Sequence, residues 1–164
     1  MAVTASCPTV LIINRVKDML VRKMLIADYE AVYALWMACP GMELNNLDDS
    51  KEGIEKFLKR NADTCFVAET QGEIAGVILV GNDGRRGYIY HAAVLPKYRK
   101  QGIASLLLDA AMAELEKAGI NRCALMVFKG NELGNAFWAK KGFEPREDIL
   151  YRYKSFVPME RIDT

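Results

Sequence analysis

The sequence predicts an α/β domain whose sheet is mixed and mostly antiparallel. Two patterns predict this class: a pair of apolar runs joined by a short turn, typical of an antiparallel hairpin, and a later strand-helix-strand unit, which requires parallel pairing. A chain of 164 residues suits one compact domain and is too short for two domains of ordinary size. We therefore expect one functional site.

The first half of the chain is predicted to hold a strand, two helices and then a hairpin. These elements are Met19–Met24, Ile26–Met37, Lys51–Arg60, Cys65–Ala68 and Ile74–Val80. Apolar residues recur at helical spacing in both helices. Several capping residues lie just before the second helix, between Asn45 and Ser50, and Gln71–Gly72 supplies the hairpin turn. Residues 1–18 are expected to be an N-terminal extension, and residues 19–164 a single domain.

The second half is predicted to alternate strands with helices. Its elements are Tyr88–Val94, Ile103–Ala118, Ala124–Phe128, Leu133–Lys140 and Ile149–Tyr153. Pro96 stops the first of these strands because proline cannot donate to a ladder. Gly119 stands where a left-handed cap would end the long helix. The wholly apolar run Ala124–Phe128 is typical of a parallel strand that is covered on both faces.

Composition excludes several classes of function. Lysine and arginine number 22 against 21 aspartates and glutamates, so no global field draws the chain to nucleic acid or to anionic lipid. Four cysteines lie far apart, and the single histidine completes no zinc motif with them, so we expect reduced thiols and no metal. No apolar stretch is long enough to cross a bilayer. We expect no nucleic-acid or membrane partner, and a cytoplasmic protein.

Three cations stand just before the start of the long helix: Lys97, Arg99 and Lys100. A helix N-terminus carries unpaired N–H groups and a partial positive charge, which suit an anion, and Gly102 lets a phosphate approach the backbone closely. Placing basic residues there costs electrostatic energy unless an anion binds. A diphosphate is the natural ligand, although a solvated charge run explains the composition about equally well.

The motif around this loop resembles a known signature. The chain lacks the glycine patterns of nucleoside triphosphatases and of dinucleotide folds. Residues 93–104 instead resemble the acetyl-CoA signature of the GNAT acetyltransferase superfamily, Gln/Arg-x-x-Gly-x-Gly/Ala after a Val-x-Pro strand end, with Arg99, Gly102 and Ala104 on its fixed positions. The resemblance continues through residues 131–143, which are similar to the family's Asn…Tyr…Gly-Phe block.

This resemblance implies a twisted sheet with helices on both faces, a splayed parallel pair of central strands, and acetyl-CoA as cosubstrate. The pantetheine arm would pair with the strand end near a bulge, and the pyrophosphate would rest on the loop. The implied cofactor-binding residues are Ala92, Ala93, Val94, Arg99, Lys100, Gln101, Gly102, Ile103, Ala104 and Asn131. The implied reaction is direct attack of a neutral primary amine on the thioester, with a backbone amide of the bulge stabilising the oxyanion. A homodimer is one possible assembly.

The catalytic groups are less clearly marked. The family often has a tyrosine that protonates the leaving thiolate, but this chain has Trp138 there, whose indole cannot act as an acid; packing is the favoured interpretation. Tyr90 and Tyr151 are candidate substitutes. His91 is the candidate general base, because its ordinary pKa suits proton transfer near neutrality, although a structural role is the commoner one. Strand alternation predicts opposite faces for Tyr90 and His91.

The acceptor side is expected on the first two helices, their connection and the later strands. Asp48 and Asp49 could hold a cationic amine, but capping of the second helix is the favoured interpretation. Arg85 and Arg86 could contact an acidic acceptor, although a solvated hairpin tip is favoured. The acceptor is expected to be a small molecule or a peptide. An alternative function is a non-catalytic acyl-CoA sensor or interaction module, because the family tyrosine is missing.

Overall fold

A computed structural model describes residues 12–16 and 18–163. These residues form one six-stranded sheet, and its strands lie side by side in chain order. The strands are β1 (Ile12–Val16), β2 (Met19–Lys23), β3 (Phe66–Thr70), β4 (Glu73–Asn82), β5 (Gly87–Val94) and β6 (Cys123–Leu125). The helices are α1 (Tyr29–Met37), α2 (Lys51–Arg60), α3 (Ile103–Lys117) and α4 (Glu132–Lys140). Short 3-10 turns precede α1 and α3, at Ile26–Asp28 and Pro96–Tyr98.

The pairing is antiparallel from β1 through β5, and only β6 runs parallel to its neighbour β5. Helix α3 connects this parallel pair, since parallel neighbours need a crossover connection. The predicted fold class is therefore confirmed, with its mostly antiparallel sheet and one parallel strand pair.

The central strand β4 is covered on both faces, and every residue from Ile74 to Gly81 is buried. One apolar cluster lies between the sheet and α3, and a second lies between the sheet and the α1–α2 pair. Large, almost fully buried members of the first include Phe66, Ile78, Ile103 and Leu107, and those of the second include Leu35, Trp36, Val77 and Leu79. Two apolar faces on one sheet explain why helices cover both sides.

Local signals placed most element ends correctly. Ser50 caps α2, with its hydroxyl oxygen accepting from the Gly53 N–H at 3.0 Å. Gln71 and Gly72 both have positive φ, at 52° and 76°, as the two-residue turn of a hairpin requires. At the end of α3, Gly119 is left-handed and the Ile120 N–H donates to the Leu115 carbonyl at 2.9 Å, which is the Schellman closure.

Three strand predictions need correction. Strand β1 precedes the predicted first strand and lies within the segment expected to be an extension, whose residues 1–11 lie outside the described part of the chain. The run Ala124–Phe128 is a strand only to Leu125. The predicted strand Ile149–Tyr153 is absent: this segment has no ladder partner and its large apolar side chains are exposed. Strand propensity is realised only against a packing partner.

No helix in the described residues is long and apolar enough to cross a membrane. Within the same residues no group of three or more histidine, cysteine, aspartate or glutamate side chains could hold a metal ion. Cys39 and Cys65 are buried free thiols, and burial raises the pKa of Cys65 to about 12. Cys7 lies outside the described residues.

Candidate active site

Strands β5 and β6 separate after a short contact. Their pairing ends at Ile89 and Leu125, whereas β5 continues to Val94 paired with β4 alone. Within the described residues, the other edge of β5 has no strand partner beyond Ile89. This is the predicted splay of the parallel pair, but the pair is not central as expected, because β6 is the edge strand of the described sheet. The splay leaves the backbone groups on this edge of β5 without a strand partner, although the Val94 carbonyl accepts from Nε of Arg99 at 3.1 Å and from Sγ of Cys39 at 3.6 Å.

The direction of these backbone groups follows from the register. The Leu95 N–H donates to the Ala75 carbonyl at 2.9 Å, so the backbone N–H and C=O of Leu95 point toward β4. The backbone groups of successive residues in a strand point to opposite edges, so the N–H and C=O groups of Ala92 and Val94 point to the open edge. The expected pantetheine segment, Ala92 to Val94, therefore borders the gap between β5 and β6.

The loop before α3 presents unpaired N–H groups. Lys100 and Gly102 have positive φ, at 62° and 83°, and the first backbone bond of the helix runs from the Leu106 N–H to the Gly102 carbonyl at 3.1 Å. No described residue accepts a hydrogen bond from the N–H groups of residues 100–105. A Cβ built on Gly102 meets nothing within 4 Å. The loop thus suits an anion that binds backbone amides at a helix N-terminus.

The three cations near this loop differ in their surroundings. The Lys97 ammonium donates to Glu73 at 2.7 Å, and the Tyr98 hydroxyl donates to the same carboxylate at 2.8 Å. These hydrogen bonds hold the pKa of Glu73 below its ordinary value. Arg99 donates through Nε to the Val94 carbonyl at 3.1 Å. Because Lys97 is paired, Arg99 and Lys100 are the cations that remain for a ligand.

A β-bulge places His91 and Tyr90 on the same face of the sheet. Leu79 pairs with His91 and the next residue, Val80, pairs with Ile89, so Tyr90 has no partner in the register. The His91 ring lies 5.0 Å from that of Trp36 in α1, and the Tyr90 ring lies 5.2 Å from that of Phe57 in α2. The prediction of opposite faces is therefore wrong, because an extra residue in a strand shifts the alternation.

His91 contacts the buried carboxylate of Asp49, for which the sequence favoured helix capping. Its Nε2 atom lies 2.6 Å from Oδ1 of Asp49, and Asp49 is only 4% exposed. Oδ2 of Asp49 accepts from the Asn45 N–H at 2.8 Å. The capping interpretation of Asp49 is wrong, since Ser50 caps α2. Asp48 is exposed, and its carboxylate accepts from the Asn45 side chain at 3.3 Å.

The candidate hydroxyl groups occupy different environments. The Tyr90 side chain is 57% exposed on the same face as His91. Tyr151 is exposed and stacks on Tyr153. Tyr88 lies beside Tyr90, and burial raises its pKa to about 12. Tyr90 is thus the candidate that combines solvent access with a position beside His91.

Two further residues from the second motif block have structural contacts. Asn131 caps α4, its side-chain oxygen accepting from the Gly134 N–H at 2.9 Å. Trp138 packs edge-on against Phe137 and Phe143, with ring centroids 4.9 and 5.3 Å away. These contacts agree with the packing interpretation of Trp138.

The connection between α1 and α2 is held by the C-terminal segment. Asn45 forms an antiparallel bridge with Arg161. The Asp163 carboxylate accepts from the N–H groups of Glu43 and Leu44 at 2.8 and 2.7 Å. The loop that carries Asp49 is therefore tied to a segment more than a hundred residues away.

Arg85 and Arg86 lie at the exposed tip of the β4–β5 hairpin, as the favoured interpretation predicted. Their backbone N–H groups donate to the Asp83 carboxylate at 2.8 and 2.7 Å. Together with Asn121 and Arg122 they line a shallow surface groove. The arginine pair is separate from the loop before α3.

An open strand edge followed by a helix start with unpaired N–H groups is the geometry that suits an acyl-CoA-dependent acyltransferase. Comparisons with known proteins agree. The family model described as "Acetyltransferase (GNAT) family" matches residues 29–143. The chain belongs to this family and is an acetyl-CoA-dependent acyltransferase.

Individual relatives support the same family. The chain is 33% identical over 130 residues to acetyltransferase SG1711 of Sodalis glossinidius, a match covering 79% of this chain and 90% of that protein. It is 33% identical over 135 residues to acetyltransferase plu1384 of Photorhabdus laumondii, a match covering 81% of this chain and 93% of that protein.

Solved structures share the fold at lower identity. Ard1 from Thermoplasma volcanium superimposes with a TM-score of 0.70 at 20% identity, over 77% of this chain and 83% of that one. The PaiA N-acetyltransferase from Thermoplasma acidophilum, solved in complex with coenzyme A, has a TM-score of 0.70 at 22% identity, over 80% and 92% of the two chains.

Proposed function

We propose that this protein transfers the acetyl group of acetyl-CoA to a primary amine of a small molecule or peptide by direct attack of the neutral amine. One observation carries the proposal: the unpaired edge of β5 is followed, after the turn Pro96–Tyr98, by residues 100–105, whose N–H groups have no acceptor among the described residues. The two features suit the two parts of coenzyme A, since a strand edge pairs with an amide chain and a helix start binds phosphate.

The cosubstrate would bind along Ala92–Val94 and the loop at residues 99–104. The pantetheine amides would pair with the open edge of β5, and the pyrophosphate would accept from the loop N–H groups, with Arg99 and Lys100 supplying charge. Asn131, at the start of α4, would border the pantetheine arm. Binding through the backbone is supported by Gly102, where an added Cβ would meet no protein atom.

His91 would accept the proton that the amine loses on attack, and Tyr90 would return a proton to the thiolate. Both side chains lie on the face of β5 that packs toward α1 and α2. A positioned base contributes about 10²- to 10⁴-fold to a rate. A backbone N–H near the Tyr90 bulge would donate to the developing oxyanion.

A double charge reversal tests the cosubstrate site. Arg99→Glu together with Lys100→Glu should weaken acetyl-CoA binding about 100-fold or more, since charge-assisted contacts to phosphate would be replaced by repulsion. The matched control is Arg85→Glu with Arg86→Glu, which changes the net charge equally at the distant hairpin tip. Titration calorimetry on both variants decides: unchanged affinity in the first would show that the loop is ordinary surface.

The second candidate function is an acyl-CoA sensor without turnover, favoured by Trp138 at the position where the family often has a tyrosine. Thiol release from acetyl-CoA in the presence of a panel of amines separates the two functions. Acetyl transfer predicts release that depends on the amine added. Tight binding of acetyl-CoA without release against a broad panel would favour the sensor.

A further inference from the structure

The contact between His91 and Asp49 has a defined chemical consequence for the imidazole. Two ring nitrogens are available in a neutral imidazole, one carrying the proton and the other a lone pair. At 2.6 Å from Oδ1 of Asp49, Nε2 must be the protonated nitrogen, because a carboxylate only accepts. The lone pair then belongs to Nδ1.

The Asp49 carboxylate is itself held in place. It is 4% exposed, its second oxygen accepts from the Asn45 N–H at 2.8 Å, and its own backbone carbonyl accepts from the Tyr29 hydroxyl at 2.9 Å. Because one carboxylate oxygen and the backbone of Asp49 are both held by hydrogen bonds, the other carboxylate oxygen can fix the orientation of the imidazole that it contacts.

The other side of the imidazole is restrained by packing. The fully buried Trp36 ring lies 5.0 Å away at an interplanar angle of 53°. The His91 side chain is only 13% exposed, so few rotamers remain open to it. No hydrogen bond joins Nδ1 to any described side chain or backbone group.

We propose that Asp49 is a positioning residue for the transfer reaction: it fixes His91 in the Nε2–H form and directs the Nδ1 lone pair to the acceptor amine. This inference rests on the proposed function. Asp49 does not touch the reacting atoms. Its effect on rate would act through the tautomer and the orientation of the His91 ring.

The single histidine of the chain makes the tautomer directly measurable. In protein labelled with ¹⁵N at histidine, a long-range ¹H–¹⁵N correlation spectrum reports one imidazole and distinguishes the two neutral forms. At a pH of about 9, where an ordinary histidine is neutral, the wild-type spectrum should show the Nε2–H form. A predominant Nδ1–H form would overturn the proposal, without any variant or any assay of activity.

The Asp49→Asn variant provides a second test of the positioning role. The amide oxygen can keep the bond from the Asn45 N–H while the amide NH₂ faces Nε2, so the imidazole should change to the Nδ1–H form. Turnover should fall about 10²- to 10⁴-fold, as expected when a base carries its proton on the wrong nitrogen, while KM for acetyl-CoA changes less than about threefold. Asp48→Asn, the exposed neighbour, should leave the imidazole spectrum unchanged.

The outcomes separate this proposal from the proposed function. A folded Asp49→Asn protein with the wild-type tautomer, or with turnover within about twofold of wild type, would overturn the positioning role while acetyl transfer stands. Wild-type protein that binds acetyl-CoA in the Nε2–H form but releases no thiol with any amine would overturn the proposed function instead. If Asp49→Asn does not fold, the wild-type spectrum still decides the tautomer.

Discussion

The loop before α3 follows β5 and His91 lies within β5, but the loop and the His91–Asp49 pair are built in different ways. The loop uses the backbone of six consecutive residues, and its N–H groups are available because a helix begins there. The pair joins side chains 42 positions apart, on β5 and on a loop that a third segment holds in place. The proposed binding of the cosubstrate thus depends on local geometry, whereas the proposed proton transfer depends on tertiary packing.

This difference separates two kinds of mutational effect. A change at Arg99, Lys100 or Gly102 should alter the affinity for acetyl-CoA and leave the rest of the fold intact, because these loop residues are exposed. A change near Asp49 should alter turnover or stability, because the carboxylate is buried and forms hydrogen bonds with Asn45 and His91. Four variants test this separation, from the largest expected effect to the smallest.

Replacing His91 by Gln should lower kcat about 10²- to 10⁴-fold, because the proposed base is lost. KM for acetyl-CoA should change little, since the loop and the open edge of β5 are untouched. Steady-state kinetics across a pH series provides the measurement. A variant with unchanged turnover and an unchanged pH profile would remove His91 from the mechanism.

Replacing Gly102 by Ala should weaken acetyl-CoA binding about tenfold or more, because a methyl group would stand where the phosphate approaches backbone N–H groups. The left-handed φ of 83° also costs about 1–2 kcal/mol of stability in an alanine. Gly119→Ala is the matched control, with a φ of 72° and likewise nothing within 4 Å of an added Cβ. The Gly119→Ala variant should lose similar stability and keep its affinity for acetyl-CoA. If both variants lost the same affinity, backbone strain and not contact with the ligand would be responsible.

Replacing Asp163 by Asn should lower the free energy of unfolding by about 1–3 kcal/mol at neutral pH, because a buried acceptor of several hydrogen bonds loses its charge. Burial alone would raise the pKa of Asp163, but hydrogen bonds from Arg161, Glu43 and Leu44 outweigh it and hold the pKa below the ordinary 3.8. A lowered folded-state pKa stabilises the protein fully above 3.8 and progressively less as the pH falls through the folded value.

The difference in unfolding free energy between wild type and Asp163→Asn should therefore shrink between neutral pH and a pH of about 3. Urea denaturation at the two pH values measures it. If the unfolding free energies of wild type and Asp163→Asn differ equally at both pH values, the charge of the Asp163 carboxylate contributes nothing to holding the loop that carries Asp49.

Replacing Glu73 by Gln should have the smallest effect. The substitution frees Lys97 from its exposed ion pair and should tighten acetyl-CoA binding less than about threefold, because exposed pairs contribute little. Raising the ionic strength should remove the gain. A large gain, or one that persists in high salt, would mean that Lys97 contacts the cosubstrate directly.

Most of the fold could be predicted from the sequence because its signals are local. Helix α2 has the predicted bounds, and the hairpin turn and the Gly119 cap lie where expected, since turn and cap residues act over a few positions. The strand predicted at Ile149–Tyr153 failed for the opposite reason. Its β-branched and aromatic residues favour a strand, but only a neighbouring strand could have satisfied its backbone.

The sequence by itself identified the candidate phosphate-binding loop, because Arg99 to Ala104 are contiguous and a glycine just before an apolar helix favours a loop that exposes backbone N–H groups. It also singled out His91. Only the tertiary structure decided which face His91 occupies and what it contacts. A one-residue bulge at Tyr90 reverses the alternation, and folding of the α1–α2 loop brings Asp49 to the imidazole. Bulges and contacts between distant side chains depend on how elements pack, which no short stretch of residues encodes.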